Sequence, residues 1–239
     1  MKIFSSGSCR LLMSLYNGKD KIDLIHGGGN WFLDVIYLGI IYNVYQHIQF
    51  IKWILDDIEL PYYVLKRFLN YDDNLKNALK YPSKSKLPLY KKIINEQFYD
   101  CDWHIFEISS LKRPTLNGFE IKKDSFDQIS SVSNISEEEL YNSIQTLIDL
   151  FPKNKKILFQ THFRLNIIYN DDNKTIPARE IIYNTLMKFS DRPNVFVYDP
   201  SVIFENNQRE IFGIDEQHFS ELGYSKNFQY IYDNYLTKY

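Results

Sequence analysis

Cysteine is scarce in this chain: Cys9 and Cys101 are the two among 239 residues. Two thiols make no disulfide framework, so a reducing, cytoplasmic setting is the expectation. Charge of one sign is lacking as well. Lys and Arg number 28 against 30 Asp and Glu, leaving a net charge of −2. A nucleic-acid backbone would call for a basic stripe, and nucleic acid is therefore excluded as a partner. The opening residues, Met1-Lys2-Ile3-Phe4-Ser5-Ser6-Gly7, do not carry the apolar core of a signal peptide. No repeat or low-complexity tract interrupts the chain, and disordered, collagen-like and coiled-coil classes do not fit its composition.

A long apolar run does occur, from Trp31 to Leu55, and it has the length of a bilayer span. Asp34, Asn43, Gln46, His47, Gln49 and Lys52 break it. Positions 43, 46, 49 and 52 recur at helical spacing, which predicts a narrow wet stripe on a mostly buried helix. A soluble protein with no integral membrane segment is expected. At 28.6 kDa the chain can bury nearly three quarters of its unfolded surface, roughly 41,000 Å² reduced to about 11,000 Å². It needs no disulfide or metal staple.

Short apolar runs alternate with helix-length segments. Strands are expected at Lys2–Ser5, Ile22–Ile25, Trp103–Ile108, Lys156–Gln160 and Val195–Tyr198. Helices are expected at Arg10–Tyr16, along the apolar run, from Leu60-Pro61 to about Leu79, from the Ser136-Glu137-Glu138-Glu139 capping box to Leu150, at Ile181–Phe189 and at Phe219–Leu236. Tyr81 to Pro88 reads as a loop by its Pro and Ser content. Strands separated by helices imply a parallel sheet of about five strands in a three-layer α/β/α sandwich. A single domain over residues 1–239 is expected, with a helical insertion at about 58–100. Ligands in such folds sit beyond the carboxyl ends of the strands, which selects segments 6–10, 26–30, 109–113, 161–166 and the loop after the fifth strand.

Gly7-Ser8-Cys9-Arg10 falls where the first strand turns into a helix. Free N–H groups and the helix dipole there stabilise a thiolate, and Arg10 adds positive charge. Such a Cys9 has the attributes of a nucleophile; a buried, inert thiol in a small-residue turn is the competing reading. Asp215-Glu216-Gln217-His218 precedes the last helix. An Asp three residues before a His can reach its Nδ1–H when the backbone turns, leaving Nε2 as a general base. A second such pair, Asp23 and His26, lies in an expected strand, where residues three apart point to opposite faces. His162 ends the fourth strand and is a substrate-binding group or an alternative base. Arg10, Lys112, Arg113 and Arg164 are expected in loops at the same rim, where together they can hold an anionic group. Cys9, His26, His162 and His218 are zinc-type ligands by residue class, but no ligand spacing groups them, and no metal is expected. His47 and His104 read as structural.

This order of blocks resembles the SGNH (GDSL-type) hydrolase superfamily, with a Gly-Asp-Ser nucleophile turn after the first strand and an Asp-x-x-His loop before the last helix. Gly7-Ser8-Cys9 matches the first block with Cys at the nucleophile position. Asp215 and His218, followed by Phe219-Ser220-Glu221-Leu222-Gly223-Tyr224, match the second. The Cys-for-Ser change is similar to the GSCFA-type branch and to capsule-polysaccharide acyltransferases of related fold. The resemblance implies Cys9, His218 and Asp215 as catalytic residues, with oxyanion donors among Cys9, Gly27, Gly28 and Gly29. The family's Gly-x-Asn-Asp after the third strand is replaced by Glu107-Ile108-Ser109-Ser110-Leu111-Lys112-Arg113. Asn30, Ser109 or Ser110 then stands in as donor. The resemblance further implies transfer of an acetyl-type group to or from a sugar or polysaccharide hydroxyl, as acyltransferase or esterase. No cofactor is required, and acyl-CoA fits as donor. A non-catalytic carbohydrate-binding or assembly protein on the same scaffold is the alternative.

Overall fold

A computed structural model describes residues 1–26, 41–68, 87–121, 131–164, 175–204, 209–212 and 218–239. Five strands form the central sheet: β1 (Lys2–Ser6), β2 (Asp23–His26), β3 (Trp103–Ile108), β7 (Lys156–Thr161) and β8 (Val195–Tyr198). They are parallel throughout, in the order β2-β1-β3-β7-β8. Counted along this sheet alone, that is the doubly wound order 2-1-3-4-5, with strand ends converging beside β1 and β3.

Side-chain alternation along the strands sorts two cores onto the two faces. Phe4, Phe106, Ile108, Ile157 and Phe159 meet α2 (Val44–Ile54), α3 (Tyr62–Phe68), α4 (Leu87–Phe98), α5 (Glu137–Asp149) and α6 (Thr175–Met187). Ile3, Trp103, Ile105, Leu158 and Tyr198 meet α1 (Cys9–Asn17), α7 (Glu221–Ile231) and the π-turn Tyr232–Leu236 that extends α7. The expected three layers are therefore present. Within the segment expected to be an insertion, Val64, Leu65, Ile94 and Phe98 belong to the main core on the first face.

Three features differ from the sequence expectation. Residues 87–98 are helical although Pro88 had marked a loop; Pro88 is the second helical residue, where a missing N–H costs nothing. Residues 112–134 hold a small antiparallel sheet, β5-β4-β6, made of β4 (Lys112–Leu116), β5 (Phe119–Glu120) and β6 (Ser131–Asn134). Asn117 and Gly118 join β4 to β5 with φ of 50° and 83°, the left-handed pair that a two-residue hairpin turn requires.

The third correction concerns the stripe on α2. Asn43, Gln46 and Gln49 are not wet but buried. Asn43 Nδ2 donates to the Lys112 carbonyl at 2.9 Å, and Gln46 Nε2 to that of Ile121 at 2.7 Å. Gln49 exchanges two hydrogen bonds with the Glu120 backbone, each 2.9 Å. The polar stripe is the seam that docks the hairpin on α2. The segment expected from Trp31 to Asn43 lies largely outside the described residues, and among the described residues no helix is long and apolar enough to cross a membrane.

Candidate active site

The turn between β1 and α1 is built around a close approach. A Cβ on Gly7 would stand 2.7 Å from Glu107 Cβ, so only glycine lets this turn lie against the end of β3. Ser8 caps α1, its Oγ accepting from the Arg10 N–H at 3.3 Å. Cys9 follows as the first helical residue and is partly exposed.

Glu107, fully buried near the end of β3, organises the turn. Its Oε2 accepts the Ser8 backbone N–H at 2.9 Å and also the Ser8 hydroxyl. Its Oε1 accepts Arg10 Nε at 3.0 Å and Nη2 at 2.9 Å. His47 of α2 braces the same place: its ring nitrogens lie 3.1 Å from Ser6 Oγ and 2.9 Å from the Glu107 carbonyl. Burial holds His47 neutral, with its pKa lowered to about 4. For Arg10 burial works against the charge, yet Glu107, Cys9 and Tyr42 outweigh it and its pKa rises.

This changes the expected state of Cys9. The amides of Cys9 and Arg10 do favour its thiolate, as the helix start implies. Burial opposes it more strongly; Arg10 lowers the thiol pKa and Glu107 raises it, and the result is a thiol above its ordinary value. Cys9 rests protonated. Arg10 is not the unshared cation that the sequence suggested.

The other expected cations are likewise engaged. Arg164 Nε donates to Asp199 Oδ2 at 2.6 Å, and its guanidinium stacks 3.8 Å from the Tyr183 ring centroid. Arg113 lies in β4, not in a rim loop; it pairs with Glu120 at 2.8 Å and stacks 3.7 Å from the Tyr45 centroid. Lys112 also lies in β4, with its side chain exposed. The expected anion-holding quartet is thus replaced by three carboxylate-paired arginines and a strand lysine.

His162, just past β7, sits in the buried part of the site. Arg179 of α6 brings Nη2 to 3.2 Å from His162 Nε2. A guanidinium can only donate, so Nε2 accepts and the ring proton is on Nδ1, 3.2 Å from the Phe163 carbonyl. Burial first, then the charges of Arg10, Arg179 and His218, hold His162 well below the usual imidazole range. Both nitrogens are occupied and the ring stays neutral, which leaves His162 unsuited as a base. Arg10 and His218 thus both act electrostatically on His162. His218 precedes α7, anchored there by Phe219, which packs against Phe163, Phe204 and Ile211. Ser220 caps that helix, accepting the Gly223 N–H at 3.2 Å.

Ser109 and Ser110 are less available than expected. Both backbone N–H groups donate to the Tyr42 carbonyl, at 2.8 and 3.1 Å, and Ser110 Oγ accepts the Lys112 N–H at 3.0 Å. Their amides cannot also serve an oxyanion. The Ser109 hydroxyl is buried and unpartnered, as is that of Thr161 at the end of β7. Gly27, Gly28, Gly29, Asn30 and Asp215 lie outside the described residues, as does the His26 side chain. Among the described residues no three His, Cys, Asp or Glu side chains gather as they would for a metal ion.

Glu107 and Arg179 escaped the sequence reading, and His47 was read as structural without its place beneath the nucleophile turn. Glu107 did leave a signal: one carboxylate among the buried residues of Trp103–Ile108 must find a buried partner. His47 and Arg179 are brought in by tertiary packing, and no local pattern marks them.

No protein-family model matches the chain, and no curated protein is similar to it. Among solved structures it aligns with a Clostridium thermocellum family 3 carbohydrate esterase at a TM-score of 0.44 and 13% identity, over 99% of this chain and 96% of that one.

Proposed function

We propose that the protein is an acyl-transfer enzyme in which Cys9 is the nucleophile, His218 the general base and Asp215 the group that orients the base. What supports this reading is a partly exposed Cys9 thiol at the start of α1, together with the charges of Arg10 from α1 and of His218 from before α7, both of which act on His162 just past β7. With His162 held neutral and both its ring nitrogens engaged, His218 is left as the base of this reading.

Because Cys9 rests as a thiol, its proton must leave as the sulfur attacks. Sγ bonds to the acyl carbonyl carbon while His218 takes the S–H proton, giving a tetrahedral oxyanion. The Cys9 and Arg10 amides at the start of α1 face the thiol, and the helix dipole favours negative charge there. Collapse expels the leaving alcohol or thiol, which recovers the proton from His218, and a Cys9 thioester remains. An acceptor hydroxyl, deprotonated by His218, then attacks the thioester carbon; the C–S bond breaks and the Cys9 sulfur recovers the proton from His218. Water as acceptor makes the same sequence an esterase. The likeness of Gly7-Ser8-Cys9 and of the Asp215–Tyr224 block to their counterparts in the SGNH superfamily supports an acetyl-type group, a sugar or polysaccharide hydroxyl and an acyl-CoA donor.

Intact mass after brief exposure to acetyl-CoA, or to an activated acetate ester, tests this reading. Wild type should gain one acetyl group, Cys9→Ala none, and His218→Ala should acquire it at least a hundredfold more slowly. The better donor separates transferase from esterase. An unmodified wild type with no turnover on either donor would overturn the reading in favour of a carbohydrate-binding scaffold.

A further inference from the structure

Glu107 belongs to no expected catalytic block, yet the nucleophile turn is hung on it. Four donors from two residues, the Ser8 N–H and O–H and the Arg10 Nε and Nη2 groups, converge on one buried carboxylate. Gly7 is small at the point where the turn touches the Glu107 side chain. We propose that Glu107 is a positioning residue that ties the nucleophile turn to β3 and, by pairing with Arg10, offsets part of the pull that this cation exerts on the Cys9 sulfur. The proposal rests on Cys9 being the nucleophile.

The charge layout gives this arrangement a purpose. Among the described residues, Arg10 on its own helix lowers the Cys9 thiol and Glu107 on β3 raises it, the pull of Arg10 being the larger. Tyr42 faces Arg10 from the segment before α2, while Arg179, His218 and Arg10 face His162 from α6, the α7 approach and α1. With Arg10 free, Cys9 would resemble the cation-flanked, low-pKa cysteines that alkylate and oxidise readily. With Arg10 paired its pull is partly offset, and burial, the larger influence, keeps the sulfur as a thiol until the base acts. Glu107 therefore trades standing reactivity for selectivity, since the sulfur becomes nucleophilic only in concert with proton removal.

Opening the pair from either side should move Cys9 in opposite directions, which a purely structural role would not do. Iodoacetamide labelling of Cys9, followed by intact mass across pH, reads this directly; buried Cys101, pushed up to about 12, does not compete. Glu107→Gln should label roughly tenfold faster than wild type at pH 7, and Arg10→Gln several-fold slower. Ser8→Ala removes a hydrogen bond without a charge and should leave the midpoint in place. Midpoints that shift together, or do not shift, would overturn the proposal. If Glu107→Gln fails to fold, shown by thermal melting, Arg10→Gln decides alone: slower labelling supports the pair and faster labelling refutes it. Opposite shifts without any acyl adduct in wild type would remove the acyl-transfer reading while the charge balance stood. Adducts with unmoved midpoints would do the reverse.

Discussion

Burial keeps several imidazoles in this molecule from carrying a proton, and stability in acid follows from that. His47 and His104 are both lowered to about 4, chiefly by burial and against the pull of carbonyls that their rings touch. His162 is lowered in the same sense. Between about pH 4 and pH 6.5 the unfolded chain binds protons on these rings that the folded chain refuses. Stability therefore rises with pH through that window: it is complete above about 6.5 and is lost as the pH falls towards 4. For His47 and His104 the loss reaches about 3 kcal/mol each. Urea melts at pH 7 and pH 4.5 should show this drop. His104→Gln, which retains a donor for the Phe98 carbonyl that His104 Nε2 contacts at 2.8 Å, should flatten it. An unchanged difference between the two pH values would count against the buried neutral ring. The sequence marked these two histidines as structural because His47 falls on the polar stripe of an expected helix and His104 at the start of an expected strand. It could not show Glu107 at work, since that carboxylate acts on residues 97 and 99 positions away.

Among the elements, those shaped by local rules were readable and those shaped by their neighbours were not. The Ser136 capping box opens α5 as its spacing predicts, with reciprocal bonds between Ser136 and Glu139. β3 and β8 begin and end where their apolar runs do. The β4–β5 hairpin was missed although Asn117-Gly118 is a strong turn signal, because Lys112-Arg113-Pro114 does not resemble a strand. The hairpin is held instead by tertiary contacts: Asn43, the cap of α2, bonds the Lys112 carbonyl, while Gln46 and Gln49 of α2 bond Ile121 and Glu120. Gly118→Ala tests the turn itself. Its φ of 83° is unfavourable for alanine, while no atom lies within 4 Å of where the new methyl would go. The cost is then about 1–2 kcal/mol of backbone strain. It should appear as a lower urea midpoint at unchanged slope; no change would mean that the hairpin is not part of the cooperative fold.

Across the whole molecule, one buried amide links the helix that starts at Cys9 to the helix that follows His218. Asn227 of α7 donates to Ser14 Oγ at 2.9 Å and to Gln160 Oε1 at 3.2 Å, and accepts from the Tyr198 hydroxyl at 2.7 Å. Ser14 in turn donates to the Arg10 carbonyl at 2.6 Å. Asn227→Leu would leave Gln160 Oε1 and the Tyr198 hydroxyl without the partner that Asn227 gives them and would strip one bond from Ser14, a loss of roughly 2–5 kcal/mol. Thermal melting should fall by about 5–15 °C, and the rate of acetyl transfer to Cys9 should drop further than stability alone accounts for. A variant that melts like wild type would show that the bridge is dispensable.

The Ser14–Asn227 bond joins positions 213 residues apart, and this separation has a meaning for the chain as it is made. At roughly 5–20 residues per second a ribosome needs about 10–40 s to pass from one partner to the other. For most of that interval the proposed base, His218, has not yet been made. On the acyl-transfer reading proposed above, a chain that stops before His218 carries Cys9 without its base and should take up no acetyl group from an acyl donor.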